Sequence, residues 1–529
     1  MFLSYTGAAL DKKTPLLRSM QALEKQALRI LKLFGNTDAK RVLATVGAEQ
    51  EYFLIDKSVF NKREDLAVCG RTLFGAKPPK GQELNDHYFG AIKPRVSEFM
   101  KDLDEELWKV GVPSKTKHNE AAPAQHELAP VFETVNLASD HNQLTMAYMK
   151  DIALKHGMVC LLHEKPFDGI NGSGKHDNWS ICTDTGINLL EPGETPYENA
   201  QFLLFLVAVI KAVDKYQDLL RVTAASAGND CRLGSNEAPP AIISIFLGDE
   251  LNEILDAVEK GSIYKGKAKK EVEIGVTALP HFPKDTTDRN RTSPMAFTGN
   301  KFEFRMLGSN FSIAGPNIVL NTAVAEILRT FADKLESSEN FQETLSKLIK
   351  RTIKDHKRII FNGNNYSDEW IKEAESRGLY NLKNTVEALP RYIAPENIEL
   401  MEKHGVFTRT EMYSRYEILL ENYSKITNIE GLTMCDMVKK EIIPSVLDFI
   451  KELSVIIKNK KEIEENIDCT VELKLIKETS SLNTRLYNSL NKLEEYLASA
   501  DKGDSYATAE YYSATVKPEM DNMRKITDS

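Results

Sequence analysis

The sequence predicts a mixed α/β domain followed by a helical one, and three observations carry that reading. Up to about Asp333, helix and strand signals alternate, glycine and proline are frequent, and nearly all the unusual polar clusters occur. From about Lys334 to the end, glycine and proline become sparse and helical periodicity dominates. Within the first part, Val42 to Ile55 is β-branched and aromatic, the composition of a strand. The expected domains are therefore residues 1–333 and 334–529.

The elements follow in order. Pro15 suits a first helical position, with Thr14 as cap. Leu16, Met20, Leu23, Ala27, Ile30 and Leu31 then keep helical spacing until Gly35 ends the pattern. A second helix is expected from Asp86, with Ile92, Val96, Phe99, Leu103 and Leu107 on one face, and a third from about Asp140 to Gly157. Gln201 to Leu220 reads as one strongly apolar helix. Beyond residue 333, Phe331 to Ile360, Tyr413 to Lys425, Met434 to Lys458 (interrupted near Pro444) and Leu473 to Leu497 are amphipathic, and read as an antiparallel bundle packed on itself or on the first domain.

The bulk numbers exclude several classes. A net charge of −9 and 27% charged residues give no electrostatic footprint for nucleic acid. No apolar run approaches the roughly 18 residues that span a bilayer, and Met1 to Leu10 lacks a signal-peptide pattern. The six cysteines are scattered without paired spacing, which fits reduced thiols in a cytoplasmic protein.

Five polar clusters carry chemistry. In Gly47-Ala48-Glu49-Gln50-Glu51, strand periodicity puts Glu49 and Glu51 on one side. Adjacent carboxylates repel unless a cation lies between them, although a solvated strand face also accounts for them. His118-Asn119-Glu120 through His126-Glu127 adds two carboxylates, the ligands hard divalent cations prefer, in what also reads as a polar loop. Asn171-Gly172-Ser173-Gly174-Lys175-His176-Asp177-Asn178-Trp179-Ser180 resembles a phosphate loop, with neither standard spacing. Its His176 reads as a metal ligand or an ordinary loop histidine. Asp230 to Pro240 reads as a mobile loop or a surface turn. In Asn300 to Leu307, Lys301, Glu303 and Arg305 share one strand face and Phe302, Phe304 and Met306 the other. With Arg291, the charged row reads as a wall for carboxylate and phosphate groups, or as a salt-bridge ladder.

Taken together, these segments resemble the signature regions of the glutamine synthetase family. SYTGAALDKKTPLLRSMQALEKQALRIL (Ser4 to Leu31), KHNEAAPAQHELAPVFE and NGSGKHDNWS resemble its type III branch in particular. The resemblance implies a curved, mainly antiparallel sheet with flanking helices, then a helical C-terminal domain. It implies an ATP-dependent ligase joining ammonia to L-glutamate through γ-glutamyl phosphate, with two or three Mg²⁺ or Mn²⁺ ions per site. By motif, Glu51, Glu120 and Glu127 would hold one ion, and Glu49, His176 and Glu303 a second beside the ATP phosphates. Arg305 and Arg232 would grip glutamate, with Asn171 and the Gly172 backbone at its amino end. Arg291 would bind phosphate, and Glu237 would sit on the flap over the ammonium. Phe132, Asn178, Ser180 and Lys301 fall at the nucleotide.

Three positions depart from the family pattern: Ala296 and Lys301 stand where arginines are common, and Lys115 where a nucleotide-contacting glutamate is. The family also has an N-terminal β-grasp domain ahead of the Ser4 stretch, supplying an aspartate to a neighbour's ammonium pocket. On that basis this chain alone is expected to bind Mg²⁺ and ATP but to make glutamine very slowly or not at all. The partners implied are glutamate, ammonium and ATP, in a homo-oligomer that is a dodecamer in type III members. The competing readings are a catalytically impaired truncated homologue with a structural or regulatory role, and a γ-glutamyl-amine ligase on the same fold.

Overall fold

A computed structural model describes residues 2–262, 264, 271–272, 282–283 and 292–529. Arg291 lies outside the described residues. The strands in chain order are β1 (Val42–Asp56), β2 (Ser114–Asn119), β3 (Gln125–Pro130), β4 (Glu133–Thr134), β5 (Met158–Leu161), β6 (Lys175–Thr183), β7 (Ile245–Phe246), β8 (Glu271–Val272), β9 (Phe282–Pro283), β10 (Met295–Phe297) and β11 (Phe302–Phe304). The main sheet runs β2-β3-β1-β6-β11-β10-β7, with β4 and β5 also paired to β1, while β8 and β9 pair separately. It is mainly antiparallel; β7 and β10 form a parallel pair.

The alternation along β1 shows why this strand carries the site. Val42, Ala44, Val46 and Ala48 face inward and join a core with the helices Lys13–Leu33, Ala200–Lys215 and Ala314–Glu336. Glu49 and Glu51, on the opposite parity, face the other way. β6 repeats the device: Trp179 and Ile181 are buried in that core, and His176, Asn178 and Ser180 point to the site side.

Several expected boundaries move. The helix anticipated from Asp86 begins at Pro94 (Pro94–Lys109), because the residue before a proline is pushed out of the helical region, and Lys93 has φ −61° and ψ 141°. The first helix is served by Asp11 rather than Thr14, the Thr14 N–H donating to Asp11 Oδ1 at 3.2 Å. The third starts earlier, at Val135–Lys155. Gln201 to Leu220 is two helices, Ala200–Lys215 and Gln217–Val222, broken at Tyr216. Phe331 to Ile360 likewise divides into Ala314–Glu336 and Phe341–His356. Tyr413 to Lys425 is the middle of Arg409–Met437, which opens with a capping box between Thr408 and Glu411. The break near Pro444 is a π-helical turn, Val438–Ile442, leading into Ile443–Ile463.

Residue 333 lies inside the helix Ala314–Glu336. The main core also crosses that position, taking in Leu345, Trp370 and Met412. A second core joins Leu73, Phe74 and Val222 to the later helices through Leu420, Leu490 and Met523.

Candidate active site

The pairing register assembles the polar clusters. Glu51 is opposite Glu127 on β3, and His118 on β2 is opposite Glu127 on its other side. Glu49 is opposite His176, and Glu303 on β11 opposite Asn178. One cavity of about 150 Å³ is lined by Glu49, Glu51, Glu120, Glu127, Asn171, Gly172, His176, Arg232, Glu237, Glu303 and Arg305. Residues read from five separate stretches thus share one small space.

Two sets of donor atoms in it are close enough to hold a cation. Glu49, His176 and Glu303 form one set, each set's atoms lying within 4.8 Å of one another. His176 Nδ1 is 3.2 Å from Glu49 Oε2 and 3.2 Å from Glu303 Oε1. The second set is His118, Glu120 and Glu127. Here the geometry differs from the implied triad. Glu51 is turned toward the glycine loop, where its Oε2 accepts the Gly174 N–H at 2.5 Å, and its Oε1 is 3.9 Å from His176 Nε2. His118 Nε2 sits 2.9 Å from Glu127 Oε1.

The charge balance fits a cation. Burial and the neighbouring Glu51 and Glu127 push the Glu120 carboxyl up to about 8. Burial also raises Glu127. The hydrogen bond to Glu127 raises His118 to about 9, and those to Glu303 and Glu49, against burial, raise His176 to about 10. A divalent ion beside Glu120 and Glu127 would favour their charged forms and offset the burial that raises them.

The glycines of Asn171 to Gly174 make room for an arginine rather than a phosphate. A Cβ on Gly174 would stand 2.2 Å from Arg232 Nη2, and one on Gly172 3.0 Å from Arg232 Cγ. Lys175, next in the chain, is buried on the core side, its Nζ donating to Asn142 Oδ1 at 2.8 Å and to the Phe311 carbonyl. Asp230 to Pro240 is a turn with Gly234, Asn236 and Glu237 exposed, but it carries Arg232 inward, only 3% exposed. Its guanidinium donates to the carbonyls of Arg305, Met306 and Leu307 at 3.3–3.4 Å. It therefore ties the end of β11, and Arg305 with it, to the glycine loop.

At the rim, Asn236 and Glu237 have φ of 39° and 62°, a conformation residues with side chains rarely adopt. Glu237 Oε2 accepts from Asn171 Nδ2 at 2.9 Å, which joins this turn to the glycine loop. Arg305 Nε is 3.3 Å from Glu303 Oε1.

A second cavity of about 480 Å³ shares Glu49 with the first and is lined by Phe132, Asn178, Ser180, Lys301, Lys115 and Asn188, among others. That volume suits a nucleotide-sized ligand. Asn178 Nδ2 donates to Glu49 Oε1 at 2.9 Å, joining the two spaces. Ala296 is buried in β10 opposite Glu303. Sequence reasoning assigned no role to Tyr88 and His118, both of which line the first cavity. His118 was legible as part of its motif, while Tyr88 fell in the helix expected from Asp86 and lies instead on the loop before Pro94.

Residues 26–243 match the family model described as glutamine synthetase, catalytic domain, and residues 344–461 match glutamine synthetase C-terminal domain. A glutamine synthetase of Butyrivibrio fibrisolvens is 53% identical over 535 residues, spanning 100% of this chain and 75% of the relative. A type-3 glutamine synthetase of Dictyostelium discoideum is 44% identical over 537 residues, spanning 100% of this chain and 73% of the relative. Among solved structures, apo GmaS without ligand has a TM-score of 0.46 at 15% identity, covering 78% of this chain and 75% of that one, a likeness too distant to bear on function. With both family models matched and close relatives alike over its whole length, the chain belongs to the glutamine synthetase family.

Proposed function

We propose that the two adjoining cavities are the glutamate and nucleotide halves of one ligase site. The chain is a glutamate–ammonia ligase, forming glutamine from glutamate and ammonia with ATP. The observation that carries the residue assignment is the pair of donor sets on the floor of one cavity, with Glu49 shared by a second cavity of nucleotide size. The whole-chain likeness to a type-3 enzyme supports the type III branch.

In this reading Glu49, His176 and Glu303 hold one Mg²⁺ or Mn²⁺. Glu51, Glu120 and Glu127 hold another, with His118 steadying Glu127. Bound there, the cations neutralise phosphate charge during phosphoryl transfer. Phe132, Asn178, Ser180, Lys301 and Arg291 receive the nucleotide. Arg305 pairs with the glutamate carboxylate, Arg232 shapes its pocket, and Asn171 and Gly172 meet its amino end. The γ-carboxylate oxygen attacks the γ-phosphorus and ADP leaves. Ammonia then attacks the acyl carbon and phosphate leaves. Glu237 holds the incoming ammonium and takes its proton, while the flap excludes the water that would hydrolyse the acyl phosphate.

We also propose a cytoplasmic homo-oligomer, with a catalytic part, residues 1–333, and a helical part, 334–529, that share the main core across the helix Ala314–Glu336. Supporting self-association, Leu447, Val455 and Ile463 are exposed on one helix. No helix among the described residues is long and apolar enough to cross a membrane. A catalytically silent homologue is not favoured, since the implied cation ligands come together in one cavity. The test is a coupled assay of glutamate-dependent ADP release together with glutamine formation. Both are expected to require a divalent cation, glutamine formation is expected to require ammonium as well, and ADP release that is indifferent to glutamate would overturn the assignment.

A further inference from the structure

Glu164 takes no part in the chemistry above, yet it stands directly behind the glutamate side of the site. It is 4% exposed and lies in a cradle of glycines. A Cβ on Gly228 would come within 2.3 Å of Glu164 Oε2, and one on Gly308 within 2.4 Å of its Cγ. Glu164 Oε1 accepts the Asn310 N–H at 3.3 Å. Its backbone carbonyl accepts the Ser173 N–H at 2.9 Å, and a Cβ on Gly172 would sit 2.3 Å from that carbonyl.

Each segment it touches leads to a glutamate-side residue. Gly228 is in the short helix Ala227–Asp230, whose Asn229 carbonyl accepts the Arg232 N–H at 3.0 Å. Gly308 is three residues past Arg305 and forms an antiparallel bridge with Gly174. Gly172 follows Asn171. Asn229 Nδ2 also donates to the Met306 carbonyl at 2.9 Å, tying the first segment to the second. Three backbone segments that must agree in position thus meet on one residue, two on its side chain and the third on its main-chain carbonyl, and none of the three glycines leaves space for even a methyl group.

We propose that Glu164 is a positioning residue for glutamate recognition, setting the spacing between Arg232, Arg305 and Asn171 by wedging against Gly228, Gly308 and the Gly172–Ser173 peptide. The inference rests on the reading of those three residues as the glutamate site. The nucleotide cavity shares none of these contacts, so a wedge predicts a selective defect, whereas a merely structural residue would weaken both ligands and the fold together.

The test is calorimetric titration of the full chain with L-glutamate in the presence of Mg²⁺ and ADP, with ADP affinity and melting temperature read on the same samples. Glu164→Ala is expected to weaken glutamate by about 10- to 100-fold, the scale of an ångström of misplacement, with ADP affinity unchanged. Glu164→Gln, of the same size and still an acceptor, should stay close to wild type. Gly228→Ala should resemble Glu164→Ala. The double variant should be milder than the two effects combined, because removing the carboxylate frees the space the methyl needs. Should Glu164→Ala not fold, Glu164→Asp gives the same readout by withdrawing the carboxylate one methylene. Wild-type glutamate affinity in Glu164→Ala, or a parallel loss for ADP, overturns the proposal. Arg305→Lys is the control: if it leaves glutamate binding intact, the glutamate-site reading falls and this inference with it, and if only Arg305→Lys weakens binding, this inference alone falls.

Discussion

The helices Ala200–Lys215 and Ile443–Ile463 are both rich in aliphatic side chains, yet they end up in opposite surroundings. In the first, every residue from Phe202 to Ile210 is buried behind the catalytic sheet. In the second, Leu453 is the sole buried residue, while Leu447 is 53% and Ile463 81% exposed. The polar residues show the reverse. On β6, Lys175 and Asp177 are fully buried beside the site, and the cavity in front holds six glutamates. The catalytic half thus places its apolar surface and its charges where each is costly to disturb. The later hairpin, Ile443–Ile463 with Thr470–Ala498, leaves apolar surface in the open and concentrates little charge inside. Composition marks how much surface must be covered, and only the tertiary arrangement decides whether this chain covers it.

That contrast can be broken most directly at the cation ligands. Glu120→Ala or Glu303→Ala is expected to lower glutamine formation by roughly 10²–10⁴-fold, measured by the coupled assay, with the fold intact by circular dichroism. Activity near wild type in either variant would place the cations elsewhere.

The same ligands should respond to metal without any turnover. Mg²⁺ at a hundredfold excess over its Kd stabilises the folded chain by about 2.7 kcal/mol by mass action, read as a rise in melting temperature. Glu49→Gln should blunt the rise and Leu447→Lys should not. Equal responses in both variants would show that the cluster is not where Mg²⁺ binds.

A smaller effect is expected where the two halves meet. Glu326 accepts hydrogen bonds from Arg329 at 2.9 and 3.0 Å, Lys403 at 3.0 Å and His404 at 2.9 Å. Against burial, these hold its carboxyl well below the usual carboxylate range. A carboxyl lowered on folding adds stability above its unfolded pKa, about 4.3, and loses it as pH falls through the acid range. Glu326→Gln should therefore lose about 2 kcal/mol at neutral pH, and the gap should narrow progressively as pH falls below about 4. Thermal melts from pH 3 to 7 check this, and a gap independent of pH would exclude it.

The smallest effect belongs to the hairpin. Leu447→Lys and Val455→Lys should each change the stability of the separated chain by less than about 0.5 kcal/mol. Melting curves paired with sedimentation velocity sharpen the comparison: a larger loss, together with a shift to smaller species, would mean that a second copy covers this face.

Much of the site was legible because strand parity is a strict rule. Once Val42 to Ile55 reads as a strand, Glu49 and Glu51 must share a face, as must Lys301, Glu303 and Arg305. Helix boundaries were less legible. Pro94 and the break at Tyr216 act through local backbone geometry, which hydrophobic spacing does not record. The likeness of Asn171 to Ser180 to a phosphate loop stayed ambiguous because glycine spacing reports where the backbone is approached, not by what. Here the approaching group is Arg232 from 58 residues away in sequence (232 − 174).

By itself the sequence determined the mixed fold with its helical sequel, the ligase family through its motifs, and the residue types a cation and phosphate site needs. These follow from periodicity and from short stretches whose members are neighbours along the chain. The tertiary structure decided which carboxylates meet, that His118 stands with Glu120 and Glu127 while Glu51 turns to the glycine loop, that Lys175 faces the core, and that Glu164 is wedged among three glycines. Those outcomes depend on strand register and on contacts between residues tens to hundreds of positions apart, where burial and close packing act on distances that no local pattern encodes.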